Sequence, residues 1–271
     1  FADSGVHRTQ AEEMLRAESA VSDAFELLCS AGLRCAAERS WLTRRELRRI
    51  VGLSHESGAD KQRCDDLAQE LRRRTRARRD VRLQAFGLDE VDLAPYFDQG
   101  GIVNVPDNGV LILLGDFGSG KSETAETWHR HGIDQLAAWD EVPFPVWLSA
   151  RELDGQSLEG AVDQQLPGHR WRQGRGASIV IDGVDETDPA SAQALLNAAC
   201  MLTKTYAKVQ ILLTARPGIL ATTGIEESMT VLLSEDAAIE LVELAGGRSR
   251  HTWQWSPDMR ATVRRPFFAL A

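Results

Sequence analysis

An apolar run that leads straight into a glycine-rich turn constrains this chain more than any other part of its sequence. Residues 110–114 are five consecutive aliphatic residues, and residues 115–122 read Gly-Asp-Phe-Gly-Ser-Gly-Lys-Ser. The spacing is that of the G-x-x-x-x-G-K-[ST] pattern, with a buried strand predicted before it and a helix after it. The pattern therefore predicts a P-loop, in which a turn between a strand and a helix binds phosphate groups.

Each part of the turn has a chemical purpose. The glycines at 115, 118 and 120 let the backbone curl so that successive N–H groups point at a phosphate, and the helix N-terminus adds partial positive charge. Lys121 is predicted to reach the β- and γ-phosphates, and the Ser122 hydroxyl to ligate Mg²⁺. The predicted nucleotide-binding residues here are Gly115, Asp116, Phe117, Gly118, Ser119, Gly120, Lys121, Ser122 and Glu123.

A second chemical signal is an apolar strand that ends in acids. Residues 178–186 read Ser-Ile-Val-Ile-Asp-Gly-Val-Asp-Glu. Because ligands bind at the carboxyl ends of parallel strands, Asp182 is predicted to hold Mg²⁺, usually through water. Asp185 and Glu186 follow the turn, where they are predicted to orient or deprotonate an attacking water. The alternative is an acidic loop that merely follows a buried strand.

Strands and helices alternate after the P-loop, which predicts a parallel sheet and the fold class of a three-layer α/β/α P-loop NTPase. Arg216 follows one predicted strand, so its guanidinium is expected at the same ligand-binding edge. Pro145 indicates an edge position or a strand start. The strands are predicted at 102–105, 110–114, 144–149, 178–182, 209–213 and 230–233, and the helices at 123–130 (ended by Gly132), 158–165, 188–202 and 234–245.

The region before the P-loop is rich in basic residues. Helices are predicted over 11–30, 43–51 and 60–79. Between Ser40 and Gln84 stand 13 Lys and Arg against 7 Asp and Glu, although the whole chain has a net charge of −9. Residues 41–54 are similar to the first helix and turn of helix-turn-helix proteins, so nucleic-acid binding through residues 40–84 is one hypothesis. The favoured alternative is a helical module whose arginines are solvated or pair with the acidic remainder.

Composition narrows the classes further. No apolar run approaches 18 residues and no signal peptide is visible, so the sequence predicts no membrane segment. The four cysteines lack metal-ligand spacing, which together with a nucleotide site indicates free thiols and a cytoplasmic location. The chain begins with Phe and ends inside an apolar run, so we expect a fragment of a longer protein whose other parts hold the biological output.

With these motifs placed, the chain resembles the NACHT family of STAND-class P-loop NTPases. Besides the P-loop, the resemblance is carried by residues 145–153 (Pro-Val-Trp-Leu-Ser-Ala-Arg-Glu-Leu), 179–186 and 211–217 (Ile-Leu-Leu-Thr-Ala-Arg-Pro), in the family's order. The Asp-Gly-Val-Asp-Glu ending of the second segment is the most specific mark. Residues 264–268 resemble the family's proline segment, which implies that Pro266 lies against the adenine.

The resemblance implies a switch that holds ATP or ADP with Mg²⁺, repacks its subdomains and oligomerises, with slow, regulatory hydrolysis. It also implies that Arg216 is a sensor arginine near the γ-phosphate. The sequence departs from the family pattern in two ways, and both affect the expectation of hydrolysis more than that of nucleotide binding. Glu123 stands where the family often has a small hydroxyl residue, and a winged-helix domain with its nucleotide-contacting His would lie beyond Ala271.

The leading hypothesis is therefore an ATP-dependent signalling switch in innate immune or antiviral defence, activated by an unidentified ligand or protein. The alternatives are a transcriptional regulator whose NTPase gates an N-terminal DNA-binding module, and an AAA-type remodelling ATPase. Adenine over guanine follows from the resemblance alone, because no N-K-x-D motif is present. The predicted domains are a helical N-terminal region (1–90), the nucleotide-binding domain (91–233) and the start of a helical subdomain (234–271).

Overall fold

The computed structural model describes residues 34–35, 40–41, 58–84, 103–138, 142–153, 155–167, 169, 171–221, 224–245 and 255–270. The chain divides into two compact units, Phe1–Cys64 and Asp65–Ala271. In the first unit two short strands, β1 (Arg34–Cys35) and β2 (Ser40–Trp41), pair antiparallel. The helices predicted over 11–30 and 43–51 lie outside the described residues.

The basic stretch ends in one long helix, α1 (Gly58–Gln84). It is longer at both ends than the helix predicted over 60–79. The division into 1–90, 91–233 and 234–271 stays a prediction, and the residues of α1 from Asp65 onward belong to the same compact unit as the sheet. The physical reason is a set of ion pairs between distant residues, described below, which local sequence patterns do not reveal.

Five strands form one parallel sheet: β3 (Val110–Leu114), β4 (Phe144–Ser149), β5 (Ala177–Asp182), β6 (Val209–Ala215) and β7 (Glu226–Met229). Their order is β4-β5-β6-β3-β7. Every residue of β3 is buried, as are the first five of β5, which is typical of strands covered on both faces. Pro145 lies in β4, an edge strand, as predicted. The predicted α/β fold class is confirmed.

Helices flank this sheet and follow its strands. Serine or aspartate side chains cap four of them by accepting backbone N–H groups, at Ser157, Asp188, Ser234 and Ser256. None of the described helices is long and apolar enough to span a bilayer. The helices are α2 (Lys121–Ala137), α3 (Leu158–Gln165), α4 (Pro189–Thr205), α5 (Glu235–Leu244), α6 (Pro257–Val263) and α7 (Pro266–Leu270).

Two hydrophobic clusters hold the site in place. In the first, side chains of β3, β5 and β6 pack against α2, which fixes the start of that helix above the sheet edge. In the second, Leu83 of α1 packs with α5 and α7. The first cluster is Val105, Leu111, Leu113, Ala125, Val180 and Leu212; the second is Leu83, Leu233, Ala237, Ala238, Leu241, Ala269 and Leu270.

The helix after the P-loop is longer than predicted. It continues through Gly132 to Ala137, because Ile133 and Leu136 are buried and extend its apolar face. A Cβ at Gly132 would lie 3.4 Å from Pro145 Cβ, an ordinary van der Waals distance, so the glycine is accommodated within the helix without marking its end. The prediction that Gly132 ends the helix was therefore wrong.

Two predicted strands differ from the structure. The last strand covers residues 226–229 instead of 230–233, because β7 is an exposed edge strand whose glutamates give no apolar pattern. The apolar residues after it serve elsewhere: Leu233 joins the second cluster. Residues 103–105 form no strand, since Val105 is buried in the first cluster without strand pairing.

Candidate nucleotide-binding site

The turn between β3 and α2 has the backbone geometry that its glycines predict. Gly118 (φ 75°) and Gly120 (φ 91°) occupy the left-handed region, and Gly120 is the N-cap of α2. Gly115 is required for a different reason, since a Cβ there would lie 2.3 Å from Thr230 Oγ1. The loop therefore folds closely over the start of α2, where backbone N–H groups have no partner within the helix.

Two polar side chains of the loop are arranged to meet an anion. The Lys121 ammonium donates hydrogen bonds to the Gly115 carbonyl (2.7 Å) and the Asp116 carbonyl (3.2 Å), and burial lowers the pKa of Lys121. The Ser119 hydroxyl is buried and has no hydrogen-bond partner among the described residues. A cationic group and an unsatisfied hydroxyl at a helix N-terminus fit a bound phosphate.

Strand order brings the acidic strand to this loop. Asp182 ends β5, and its Oδ1 accepts hydrogen bonds from Ser122 Oγ (3.0 Å) and Thr214 Oγ1 (2.6 Å). Thr214 lies on β6, between β3 and β5, and its oxygen also accepts the Gly183 N–H (2.8 Å). The Ser122 hydroxyl and the Asp182 carboxylate are oxygen ligands of the kind that Mg²⁺ prefers, so the residues present fit that ion.

Sequence analysis did not identify Thr214 as a functional residue. Its hydroxyl follows an apolar run, which is a weak signal, and its role depends on β6 lying between the two motif strands. That order is a property of the whole sheet. Thr214 holds both the predicted metal ligand and the backbone of the turn that follows it.

The two acids after Asp182 are both engaged by arginines. Arg216 Nε lies 2.7 Å from Asp185 Oδ2, and Arg151 Nε lies 2.8 Å from Glu186 Oε2. Asp185 is nearly buried, whereas the Glu186 side chain is 43% exposed. Three predicted residues thus meet at one edge of the sheet. Arg151 lies in the short 3₁₀ helix (Ala150–Leu153) that follows β4, and the sequence analysis assigned it no role in the site.

The short helix α7 covers the outer side of the P-loop. Arg265 Nη2 lies 3.0 Å from Asp116 Oδ2, and the Phe267 N–H donates to the Gly118 carbonyl (3.2 Å). The rings of Phe117 and Phe267 meet edge to face with centroids 4.9 Å apart. These contacts place Pro266, the first residue of α7, in the wall of the same cavity as the P-loop.

These elements enclose a cavity of about 250 Å³. Most predicted site residues line it, whereas Gly115 and Asp116 do not and instead contact Lys121 and Arg265. The predicted residues in its wall are Phe117, Gly118, Ser119, Gly120, Lys121, Ser122, Glu123, Asp182, Asp185, Glu186, Arg216 and Pro266. The residues that were not predicted are Arg79, Arg82, Leu83, Gly183, Thr214, Phe267 and Leu270.

Helix α1 reaches this cavity through arginines. Arg79 Nη2 lies 3.1 Å from Glu123 Oε1, and Arg82 Nη2 lies 2.9 Å from Glu123 Oε2 and 2.6 Å from Glu126 Oε2. Burial raises the pKa of Glu126, which the nearby Arg82 partly offsets. Arg78 stacks over Trp147, with its guanidinium carbon 4.6 Å from the ring centroid.

Other arginines of α1 also pair with acids. Arg72 contacts Asp134 at 2.8 Å, and Arg73 and Arg74 contact Glu70 at 2.8 and 2.7 Å. These contacts favour the interpretation in which the basic stretch pairs with acidic residues. They leave the DNA-binding hypothesis without support from the described part of α1.

The strand order and the loop geometry define the fold of a P-loop NTPase. No protein-family model matches the chain, and the comparison with curated proteins gives no match either. Solved structures similar to part of it include one of the FIGL-1 AAA domain in complex with ADP (18% identity, TM-score 0.36), covering 67% of this chain and 62% of that one.

Two further structures are similar to a comparable extent. A structure on katanin self-assembly has 17% identity and a TM-score of 0.32, covering 55% of this chain and 50% of that one. A structure of C. elegans PCH-2 has 16% identity and a TM-score of 0.34, covering 62% of this chain and 50% of that one. This chain therefore spans half to about three fifths of the length of these proteins.

Proposed function

We propose that this chain binds an adenine nucleotide with Mg²⁺ at the cavity between the P-loop, the end of β5 and α7. The observation that carries the proposal is the convergence of Lys121, Ser122 and Asp182 at one cavity, with Ser122 Oγ 3.0 Å from Asp182 Oδ1. Mg²⁺ held at this site would supply positive charge that offsets the charge of the phosphates. Ser122 and Asp182 would hold it, and Lys121 would bind the β- and γ-phosphates.

We further propose that the nucleotide acts as a switch and that hydrolysis is slow. Asp185 and Glu186 are the residues proposed to manage the attacking water, and Arg216 to sense the γ-phosphate. Support comes from the ion pairs that engage both acids, at 2.7 Å for Asp185 and 2.8 Å for Glu186, because each carboxylate must leave its guanidinium before it can contact an attacking water. Rapid turnover would require these pairs to separate in each cycle.

The signalling role rests on the resemblance to NACHT proteins. In this proposal the chain changes the packing of its helical segments with the nucleotide bound, oligomerises, and signals in innate immune or antiviral defence. Support within the structure comes from α7, whose Arg265 and Phe267 contact the P-loop directly, so that a change in the loop reaches a C-terminal helix. Pro266 would lie against the adenine.

A single-turnover experiment tests the switch. The chain is mixed with radiolabelled ATP and Mg²⁺, and both phosphate release and the nucleotide retained after gel filtration are measured. A burst of about one equivalent with ADP retained is expected, and Glu186→Gln is expected to keep ATP binding while slowing the burst. Sustained rapid turnover with free exchange of ADP would refute the switch and favour a remodelling ATPase.

A further inference from the structure

The carboxylate of Glu123 occupies a position where negative charge opposes phosphate binding. Glu123 directly follows Ser122 in the first turn of α2, lines the cavity and is only 7% exposed. The N-terminus of a helix otherwise attracts anions, but a nearby carboxylate in a partly buried site repels them. If the nucleotide binds as proposed above, on which this inference rests, the charge of Glu123 must be neutralised.

The arginines of α1 provide that neutralisation. Arg79 and Arg82 approach the two carboxylate oxygens of Glu123 separately, at 3.1 and 2.9 Å. Arg82 also contacts the fully buried carboxylate of Glu126, which anchors its guanidinium from a second side at 2.6 Å. Arg130, on α2 itself, lies farther from Glu123, at 3.9 Å. The charge of Glu123 is thus masked chiefly by residues that reach it from another helix.

We propose that α1 is an electrostatic part of the nucleotide site, and that the nucleotide binds tightly only while Arg79 and Arg82 mask Glu123. Separation of α1 from α2 exposes the carboxylate to the phosphates and weakens binding. Because such coupling is reciprocal, a bound nucleotide stabilises the docked position of α1 by the same factor. The helix is also anchored by Leu83, which packs with α5 and α7, so α1 links the P-loop helix to the C-terminal helices.

The proposal is tested by measuring ADP affinity with isothermal titration calorimetry. Arg79→Gln/Arg82→Gln keeps amide donors near Glu123 but removes both positive charges, and we expect about tenfold or greater loss of affinity. Adding Glu123→Gln to this variant removes the unmasked charge, and the affinity should return to within about threefold of wild type. Arginines that acted instead by touching the nucleotide directly, since both line the cavity, would not be rescued in this way.

Arg72→Gln is the matched control, because Arg72 lies on the same helix but pairs with exposed Asp134. Its ADP affinity should stay within about twofold of wild type. Thermal unfolding confirms that each variant is folded. If the double variant does not fold, Arg79→Gln alone is measured, with a smaller expected loss and the same rescue by Glu123→Gln.

Two results would overturn the proposal. One is wild-type affinity in Arg79→Gln/Arg82→Gln, and the other is a loss that Glu123→Gln does not restore. The variant Lys121→Ala distinguishes failure of the masking role from failure of nucleotide binding at the P-loop. If Lys121→Ala abolishes ADP binding while the arginine variant keeps it, the masking role alone is wrong. If wild type binds ADP no better than Lys121→Ala, nucleotide binding at the P-loop is itself wrong.

Discussion

Thr214→Val tests whether a side chain of β6 orients Asp182 and the turn that follows it. Thr214 is fully buried, and valine has nearly the same shape without the hydroxyl. The substitution removes a hydrogen bond to the Asp182 carboxylate (2.6 Å) and leaves the Gly183 N–H without its acceptor (2.8 Å). A bond to a charged group contributes about 1.5–3 kcal/mol and an unsatisfied buried donor costs about 1–3 kcal/mol. With some gain from the added methyl group, we expect a net loss of about 2–4 kcal/mol.

The same substitution should weaken metal-dependent binding. Asp182 loses one of the two hydrogen bonds that orient its carboxylate, and such losses typically cost about 10- to 100-fold in metal affinity. Urea unfolding followed by tryptophan fluorescence measures stability, and titration of ATP with and without Mg²⁺ measures binding.

A second threonine provides the control for this experiment. Thr203 is buried on α4, and its hydroxyl donates to the Cys200 carbonyl within the same helix (3.1 Å). We therefore expect Thr203→Val to change stability by less than about 1 kcal/mol and to leave Mg²⁺-dependent binding unchanged. An unaltered unfolding midpoint in Thr214→Val, or equal effects of the two variants on ATP binding, would refute the role assigned to Thr214.

Three further predictions concern a buried histidine, a strained glycine and an exposed arginine. Burial lowers the pKa of His129 to about 3, so the unfolded chain binds a proton there that the folded chain does not, and the free energy of unfolding should decrease as pH falls from about 6.5 toward 3. In an acid titration, the free energy of unfolding of His129→Leu should decrease less steeply than that of wild type. Gly176→Ala should destabilise the fold by about 2–3 kcal/mol or more, because the new Cβ would lie 1.9 Å from a backbone carbonyl oxygen. Gly155→Ala is the control: at a similar φ but in open space, it should cost only about 1–2 kcal/mol. Equal urea midpoints for the two variants would contradict this prediction. Arg151→Ala should change stability by less than about 1 kcal/mol yet speed ATP hydrolysis by freeing Glu186, and an unchanged rate in the phosphate-release assay would argue against that engagement.

Much of the fold could be predicted because it depends on sequence patterns within single strands and helices. The apolar runs of β3 and β5 identify strands that are covered on both faces, and the helix from 158 to 165 has the predicted bounds. The P-loop and Asp182 could be located for the same reason, since fixed spacing and strand ends determine their positions. β7 was not predicted, because an exposed edge strand has no apolar pattern.

The remaining part of the site depends on contacts between distant residues. Glu123 looked like a departure from a family pattern, and only the packing of α1 reveals that Arg79 and Arg82 neutralise it. The excess of basic residues before the P-loop was visible in the sequence, but their partners were not. Long-range ion pairs of this kind leave no periodic signal, and the same holds for Arg151 and its contact with Glu186.

The most direct test of the account is the affinity of the purified chain for ADP, compared with that of Lys121→Ala by isothermal titration calorimetry. Lys121 lies in the cavity wall with its ammonium held by the loop carbonyls, and it is the cation proposed to bind the β- and γ-phosphates. The account predicts one bound ADP per chain for wild type and no measurable binding for Lys121→Ala. Equal affinity in the two proteins would contradict the assignment of this cavity as a nucleotide site.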